Sequence, residues 1–319
     1  METEQNKPEG ISLKLMIFNI ILVLFIILMF FLIYGTLNKS QERQIDNFNQ
    51  AITLEAFQNL ELSAKSAYVY DVSGNRVIYK KNEFVQLPLA SITKLMMALI
   101  ASELIGENSR VTIKKEFLEE EGDTGLLADE SWRMKDLLDF SLVTSSNDGA
   151  RSLASVIGAY DLKTENFDFG RKDFISKMNQ RAQELGLQQT YFVNESGLDN
   201  GSISGGYGSA IDTAKLMQYI LKNKPELLEA TKYQSITVNS LNKEHIAKNT
   251  NIEVSSIPGL IASKTGYTDK AGGNLAVAFD LSIGRPIIVV VLGSTIDGRF
   301  EDVSKLVAAS FDSISQESI

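Results

Sequence analysis

From Leu15 to Tyr34 the chain runs for twenty residues with Asn19 as its one strongly polar side chain. A helix of that length crosses the hydrocarbon core of a bilayer, about 30 Å thick. A buried core helix is a competing fate, but soluble core helices rarely stay apolar on every face for so long. A cleaved signal peptide is the other. Its apolar region is shorter, about 7–15 residues, and ends in a small-residue cleavage site. Here the run ends in Phe31-Leu32-Ile33-Tyr34-Gly35-Thr36-Leu37, with no Ala-x-Ala pattern. The expectation is an uncleaved transmembrane signal anchor over 15–36, behind a tail of residues 1–14. A polar juxtamembrane linker over 37–61 follows, in which Ile45, Phe48 and Ile52 keep helical spacing. Lys7 and Lys14 precede the run while Lys39 and Arg43 follow it, so the positive-inside rule leaves orientation open. The remainder, residues 62–316, is expected to fold as a separate water-soluble domain.

That remainder carries the charge. Lys7, Lys14 and Lys39 balance Glu2, Glu4 and Glu9 within residues 1–40, so the net charge of -9 lies beyond them. An acidic balance argues against nucleic acid as the main partner, because phosphate binding needs clustered Lys and Arg. The chain has no cysteine, which removes disulfides, thiol nucleophiles, iron–sulfur clusters and Cys-ligated zinc. Its one histidine, His245, cannot build a multi-histidine metal site. A Ser-His-Asp triad would have to run through His245. That residue stands in a polar stretch expected to be a surface loop, and His245→Ala is expected to be near-neutral for activity.

The patterning brackets a helical middle with strands. Ala67 to Val72 and Arg76 to Tyr79 flank Ser73-Gly74-Asn75 and read as a hairpin. Residues 91–105 read as a helix whose Leu95-Met96-Met97-Ala98-Leu99-Ile100 run is apolar on all faces, so it belongs inside a domain. Helices are expected at 134–143, 148–157, 174–185 and 211–222, strands at 235–238, 259–265, 275–279 and 287–292, and a last helix at 300–314. Strands at both ends and helices between them suggest an α+β arrangement, one sheet built from the two chain ends beside a helical block.

Three short motifs fall on this frame. In Ser91-Ile92-Thr93-Lys94, positions i and i+3 share a helix face and present a hydroxyl beside an amine. Inside a buried site desolvation disfavours the ammonium, so the lysine can serve as a neutral base for the serine. The helix start also offers backbone N–H groups to a developing oxyanion. Ser240-Leu241-Asn242-Lys243 repeats the pattern between strand candidates and reads as a surface turn. Ser145-Ser146-Asn147 is the second motif; alone, Ser145 reads equally well as a helix N-cap. Lys264-Thr265-Gly266, followed by Tyr267, is the third. A lysine and a hydroxyl on a strand edge can hold a carboxylate, and a glycine there lets a peptide approach the backbone.

Ser-x-x-Lys, Ser-x-Asn and Lys-Thr-Gly in this order match the penicillin-binding and β-lactamase set. With Pro88-Leu89-Ala90 before Ser91, Leu137-Leu138 before Ser145, Phe192-Val193-Asn194 with Gly197-Leu198-Asp199, and Ala271-Gly272 after Tyr267-Thr268, the chain resembles the serine D-alanyl-D-alanine carboxypeptidases. These are the low-molecular-mass penicillin-binding proteins, peptidase family S11. The likeness runs from about residue 62 to 313. It implies a penicillin-binding/β-lactamase-like transpeptidase fold: an antiparallel sheet from both chain ends plus a helical subdomain. It implies that Ser91 attacks the carbonyl between the two terminal D-alanines of a peptidoglycan stem peptide, with Lys94 as base. Ser145 would relay a proton to the leaving amine, and Asn147 would hold Lys94 and the substrate backbone. Lys264 and Thr265 would take the terminal carboxylate, and the Ser91 and Tyr267 N–H groups would form the oxyanion hole beside Gly266. No cofactor or metal is implied. β-Lactams would act as covalent inhibitors. Peptidoglycan lies outside the cytoplasmic membrane, so the tail would be cytoplasmic and the catalytic domain extracytoplasmic.

Rival readings differ in single features. A class A β-lactamase needs a glutamate to activate its deacylating water, and no Glu-x-x-Leu-Asn stands between Asn147 and Lys264. An endopeptidase cutting peptidoglycan cross-links would use the same residues. A non-catalytic wall-binding homologue would have no chemical need for Ser91, Lys94, Ser145, Asn147, Lys264 and Thr265 together.

Overall fold

The computed structural model describes residues 55–122 and 124–317, together with residues 22, 24, 25, 27–32, 34 and 35. Contacts divide the chain into Met1–Thr53 and Leu54–Ile319. In the first unit the described residues are helical and exposed, and the expected span over 15–36 otherwise lies outside the described residues. Among the described residues no helix is long and apolar enough to cross a membrane.

The second unit is an α+β body. Its strands are β1 (Ser66–Asp71), β2 (Arg76–Lys81), β3 (Leu87–Pro88), β4 (Arg110–Thr112), β5 (Ser131–Arg133), β6 (Tyr191–Phe192) and β7 (Gly206–Gly208), then β8 (Ser235–Asn239), β9 (Glu244–Lys248), β10 (Leu260–Thr268), β11 (Gly272–Asp280) and β12 (Pro286–Ser294). Its helices are α1 (Lys94–Leu104), α2 (Met134–Val143), α3 (Asn147–Asp161), α4 (Phe167–Glu184), α5 (Ala210–Asn223) and α6 (Gly298–Glu317). The main sheet has the order β10-β11-β12-β1-β2, antiparallel throughout. The two chain ends therefore build one sheet, as the sequence pattern implies.

The unbroken apolar run Ile287 to Leu292 needs two covers, since neighbouring side chains leave opposite faces of a strand. Ile287, Val289 and Val291 pack with Phe300, Val303 and Leu306 of α6. Ile288, Val290 and Leu292 pack instead with the cluster built around α1, α2 and α5. Within that cluster α1 is buried without interruption from Lys94 to Ala101. Each fully buried Leu or Met there stabilises the fold by about 1.5–3 kcal/mol, which leaves ample stability to carry one buried lysine.

Two polar residues tie the sheet to its surroundings. Asn274, fully buried on β11, donates from Nδ2 to the carbonyls of Pro88 and Leu89, each at 3.0 Å, and its Oδ1 accepts from the Gly293 N–H at 2.7 Å. It thus fixes the segment that leads into Ser91. Asp302 of α6 accepts from the N–H groups of Ser63 and Ala64 and from Ser294 Oγ.

Two expectations need correction. The linker assigned to 37–61 does not stay solvated to its end. Phe57 is buried and stacks on Tyr79 with ring centroids 5.3 Å apart, so packing begins before residue 62. His245 is not on a surface loop. It points inward from β9, where Glu244, Ile246 and Lys248 point out. Its Nε2 lies 2.8 Å from Glu130 Oε1, and its ring packs on Trp132 and Phe140. The second Ser-x-x-Lys match is the turn between β8 and β9, closed by N–H groups of Asn242 and Lys243 donating to Ser240 Oγ.

Candidate active site

Ser91 lies in a single 3-10 turn, Ala90–Thr93, that runs directly into α1. Ala90, just before it, has φ of 47°, left-handed for a residue with a side chain. Such backbone costs about 1–3 kcal/mol and persists where the surroundings enforce it. They do so here from two sides. A Cβ on Gly197 would stand 1.9 Å from the Ala90 carbonyl oxygen, and Gly197 itself has φ of +85°. A Cβ on Gly266 would stand 2.8 Å from the Leu89 oxygen and 3.1 Å from the Ser91 nitrogen. The two glycines let the Asn194–Leu198 turn and β10 close on the backbone around the serine.

Lys94 follows one turn later and is fully buried. Its Nζ contacts three oxygens: Ser91 Oγ at 2.9 Å, Asn147 Oδ1 at 2.7 Å and the Ser196 carbonyl at 2.9 Å. The last two can only accept. In a neutral amine they take both N–H bonds and leave the lone pair facing the Ser91 hydroxyl. Burial pulls the Lys94 amine down from 10.5 to about 7, against the nearby carboxylates of Glu195 and Glu120. A base with that pKa is half neutral near pH 7, where general-base catalysis is most effective.

The second motif begins with a division of labour between two serines. Ser146, not Ser145, caps α3: its Oγ accepts from the Gly149 N–H at 3.0 Å. Ser145 is left with φ of 59° and its Oγ accepts from Lys264 Nζ at 2.9 Å. Asn147 is shared, since its Nδ2 donates to the Glu121 carbonyl at 2.7 Å. That is the group expected to meet the substrate backbone, and in this structure the segment around Glu121 occupies it.

Lys264 and Thr265 are buried on β10, the edge strand of the sheet. Burial, Lys94 and Arg299 together hold the Lys264 amine well below its ordinary value. Thr265 Oγ1 lies 2.6 Å from Thr250 Oγ1. Tyr267 is half-exposed further along the strand, with its hydroxyl donating to Asp269 at 3.3 Å. Direct bonds thus join Ser91, Lys94 and Asn147 in one group and Ser145 and Lys264 in a second, while Gly266 abuts Ser91.

The sequence left four contributors unmarked. The Ser196 carbonyl and the Glu121 carbonyl are backbone groups that any residue supplies. Thr250 and Arg299 reach the site only through the fold. Arg299 is buried near the start of α6 and donates from Nη1 to the Gly266 carbonyl at 2.9 Å. Its Gly298-Arg299 position just after the last strand is the one signal that could have drawn attention to it. Among the described residues no His, Asp or Glu side chains gather as a metal-binding group.

The chain is 29% identical over 254 residues to D-alanyl-D-alanine carboxypeptidase DacF of Bacillus subtilis, covering 78% of this chain and 62% of that one. It therefore spans less than two thirds of that relative's length. It is 32% identical over 216 residues to a D-alanyl-D-alanine endopeptidase of Haemophilus influenzae, covering 66% and 69%. Among solved structures, penicillin-binding protein D2 of Listeria monocytogenes in its ampicillin-bound form superposes with a TM-score of 0.68 at 30% identity, covering 79% of this chain and 99% of that one. The family described as D-alanyl-D-alanine carboxypeptidase, peptidase S11, matches residues 53–295. With the Ser91–Lys94 pair and the Ser145–Lys264 pair brought together by a sheet-and-helix body, this chain belongs to the peptidase S11 family of D-alanyl-D-alanine carboxypeptidases.

Proposed function

We propose that the chain is a serine DD-carboxypeptidase that removes the terminal D-alanine from peptidoglycan stem pentapeptides. The observation that carries this is the buried Lys94 amine, 2.9 Å from Ser91 Oγ, with its remaining contacts limited to acceptors. Ser91 Oγ attacks the carbonyl of the penultimate D-alanine while Lys94 takes its proton. The tetrahedral oxyanion is held by the N–H groups of Ser91 and Tyr267. The C–N bond breaks, and the proton reaches the departing amine by way of Ser145. Water then attacks the ester on Ser91, giving its proton to Lys94; the ester C–O bond breaks, Lys94 returns the proton to Ser91 Oγ, and the shortened peptide leaves. Lys264 and Thr265, with Arg299 behind them, bind the terminal carboxylate. Asn147 fixes Lys94 and, once the Glu121 carbonyl withdraws, the substrate backbone.

β-Lactams present a strained amide in place of the peptide bond and would acylate Ser91; the ampicillin-bound Listeria relative supports this. The same residues suit endopeptidase cleavage of peptidoglycan cross-links, which the Haemophilus relative favours. Monomeric pentapeptide and cross-linked muropeptides offered side by side separate the two activities. The apolar run over 15–36 supports a single-pass anchor in the cytoplasmic membrane, with the catalytic domain on the extracytoplasmic side.

Labelling with a fluorescent penicillin tests the chemistry. The wild type should label and Ser91→Ala should not. An unlabelled wild type, or a mutant that labels equally, overturns the mechanism.

A further inference from the structure

Glu195 is fully buried, one residue before the carbonyl that holds Lys94. A carboxylate tolerates that position only when it is paired. Arg171, from α4, supplies the partner: its Nε lies 3.0 and 2.9 Å from the two carboxylate oxygens. A buried ion pair adds little net stability compared with apolar groups of the same volume, so its location asks for another reason. The turn itself is already closed by Asn194. That side chain accepts from the Gly197 N–H at 2.7 Å and donates to the Leu198 carbonyl at 2.9 Å. The Glu195–Arg171 pair is a second tie, from this turn to α4.

Charged groups reach Lys94 from every side. Glu195 comes from the turn, with Arg171 behind it on α4. Glu120 comes from the segment before Asn147's partner, paired with Arg151 of α3. Lys264 comes from β10, with Arg299 of α6 behind it. The two carboxylates favour the Lys94 ammonium, Glu195 more than Glu120.

We propose that Glu195 is a positioning residue for the Ser91–Lys94 chemistry: clamped by Arg171, it fixes the Ser196 carbonyl on Lys94 Nζ and sets its carboxylate behind the amine. The inference rests on Lys94 serving as the base. Without that carboxylate burial would be opposed only by the weaker pull of Glu120, leaving the amine neutral at lower pH but a weaker proton acceptor.

The test is the second-order rate of acylation by fluorescent penicillin, followed from about pH 5 to 9, for the full chain. The wild-type rate should rise through about pH 7 and level off. Glu195→Gln should move that rise to lower pH by about one unit and lower the plateau. Glu195→Gln combined with Arg171→Met should move it the same way. Lacking the Glu195–Arg171 pair altogether, with neither charge left unpaired, the double variant is expected to fold even if the single one does not. A rise that stays at the wild-type pH in a folded variant overturns the inference and leaves Glu195 a packing role. A wild type that fails to label, or that labels without any rise near neutrality, overturns the lysine-base reading instead.

Discussion

Lys94→Met should abolish acylation and, at neutral pH, stabilise the protein. In the unfolded chain the amine stays protonated up to about 10.5, whereas in the fold it has fallen to about 7. Between those limits unfolding takes up a proton, so stability rises with pH across the window. At about 1.4 kcal/mol per unit, the shift withholds about 4 kcal/mol of stability at pH 7. Methionine withholds none of it. It forfeits the contacts with Ser91, Asn147 and Ser196, at about 1 kcal/mol each. The balance favours the variant at pH 7 by about 1 kcal/mol, or about 2–4 °C in melting temperature for a domain of this size. By pH 9 the wild type recovers about 2 kcal/mol and the order reverses. Denaturant or thermal unfolding of both proteins at the two pH values reads the crossing, and Lys264 is common to both. A difference that does not change with pH would refute desolvation as the origin of the Lys94 base.

Gly266→Ala places a methyl 2.8 Å from the Leu89 oxygen; it should cost about 1–3 kcal/mol of stability and slow penicillin labelling, both measurable on the purified variant. His245→Ala strips Glu130 of its ring partner, although the Leu127 N–H and Ser240 hydroxyl still reach that carboxylate. A loss of about 2–3 kcal/mol is expected, with labelling per folded molecule retained; loss of labelling without loss of stability would revive a histidine mechanism. Arg299→Met removes the donor on the Gly266 carbonyl and a positive charge beside Lys264. The acylation rate constant should fall about tenfold, while a variant acylating at the wild-type rate would remove Arg299 from the carboxylate site.

What the sequence made legible followed from local rules. The 134–143 helix falls on Met134–Val143, and the apolar run at 287–292 lies inside β12, because 3.6- and 2-residue periods mark faces directly. The Ser91–Lys94 pairing was legible for the same reason, being one helical turn. His245 was not. Its neighbours Asn242, Lys243 and Glu244 are polar, and the strand turns Ile246 outward, 66% exposed, to point the histidine in. That inversion is stabilised by Glu130, 115 positions away, which no local window reaches. Nor could the sequence choose between Ser145 and Ser146 as the helix cap. The choice depends on Lys264 arriving from another strand to engage Ser145.

The central pairing of the sheet joins Ser66 to Leu292 and Asp71 to Ile287. During synthesis the β1–β2 hairpin emerges with its inner edge open, and it stays open until β12 has been made. Closing so long a loop is slow, because the chain entropy is spent before the contact forms. The reactive turn hangs on the same late strands: Leu89 is held by Asn274 of β11, and Asn274 in turn by Gly293 of β12. A nascent or truncated product ending before Pro286 therefore has the nucleophile and its lysine in sequence but no frame to aim them. Reactivity toward acyl donors is acquired only once β12 has joined the sheet, all at once.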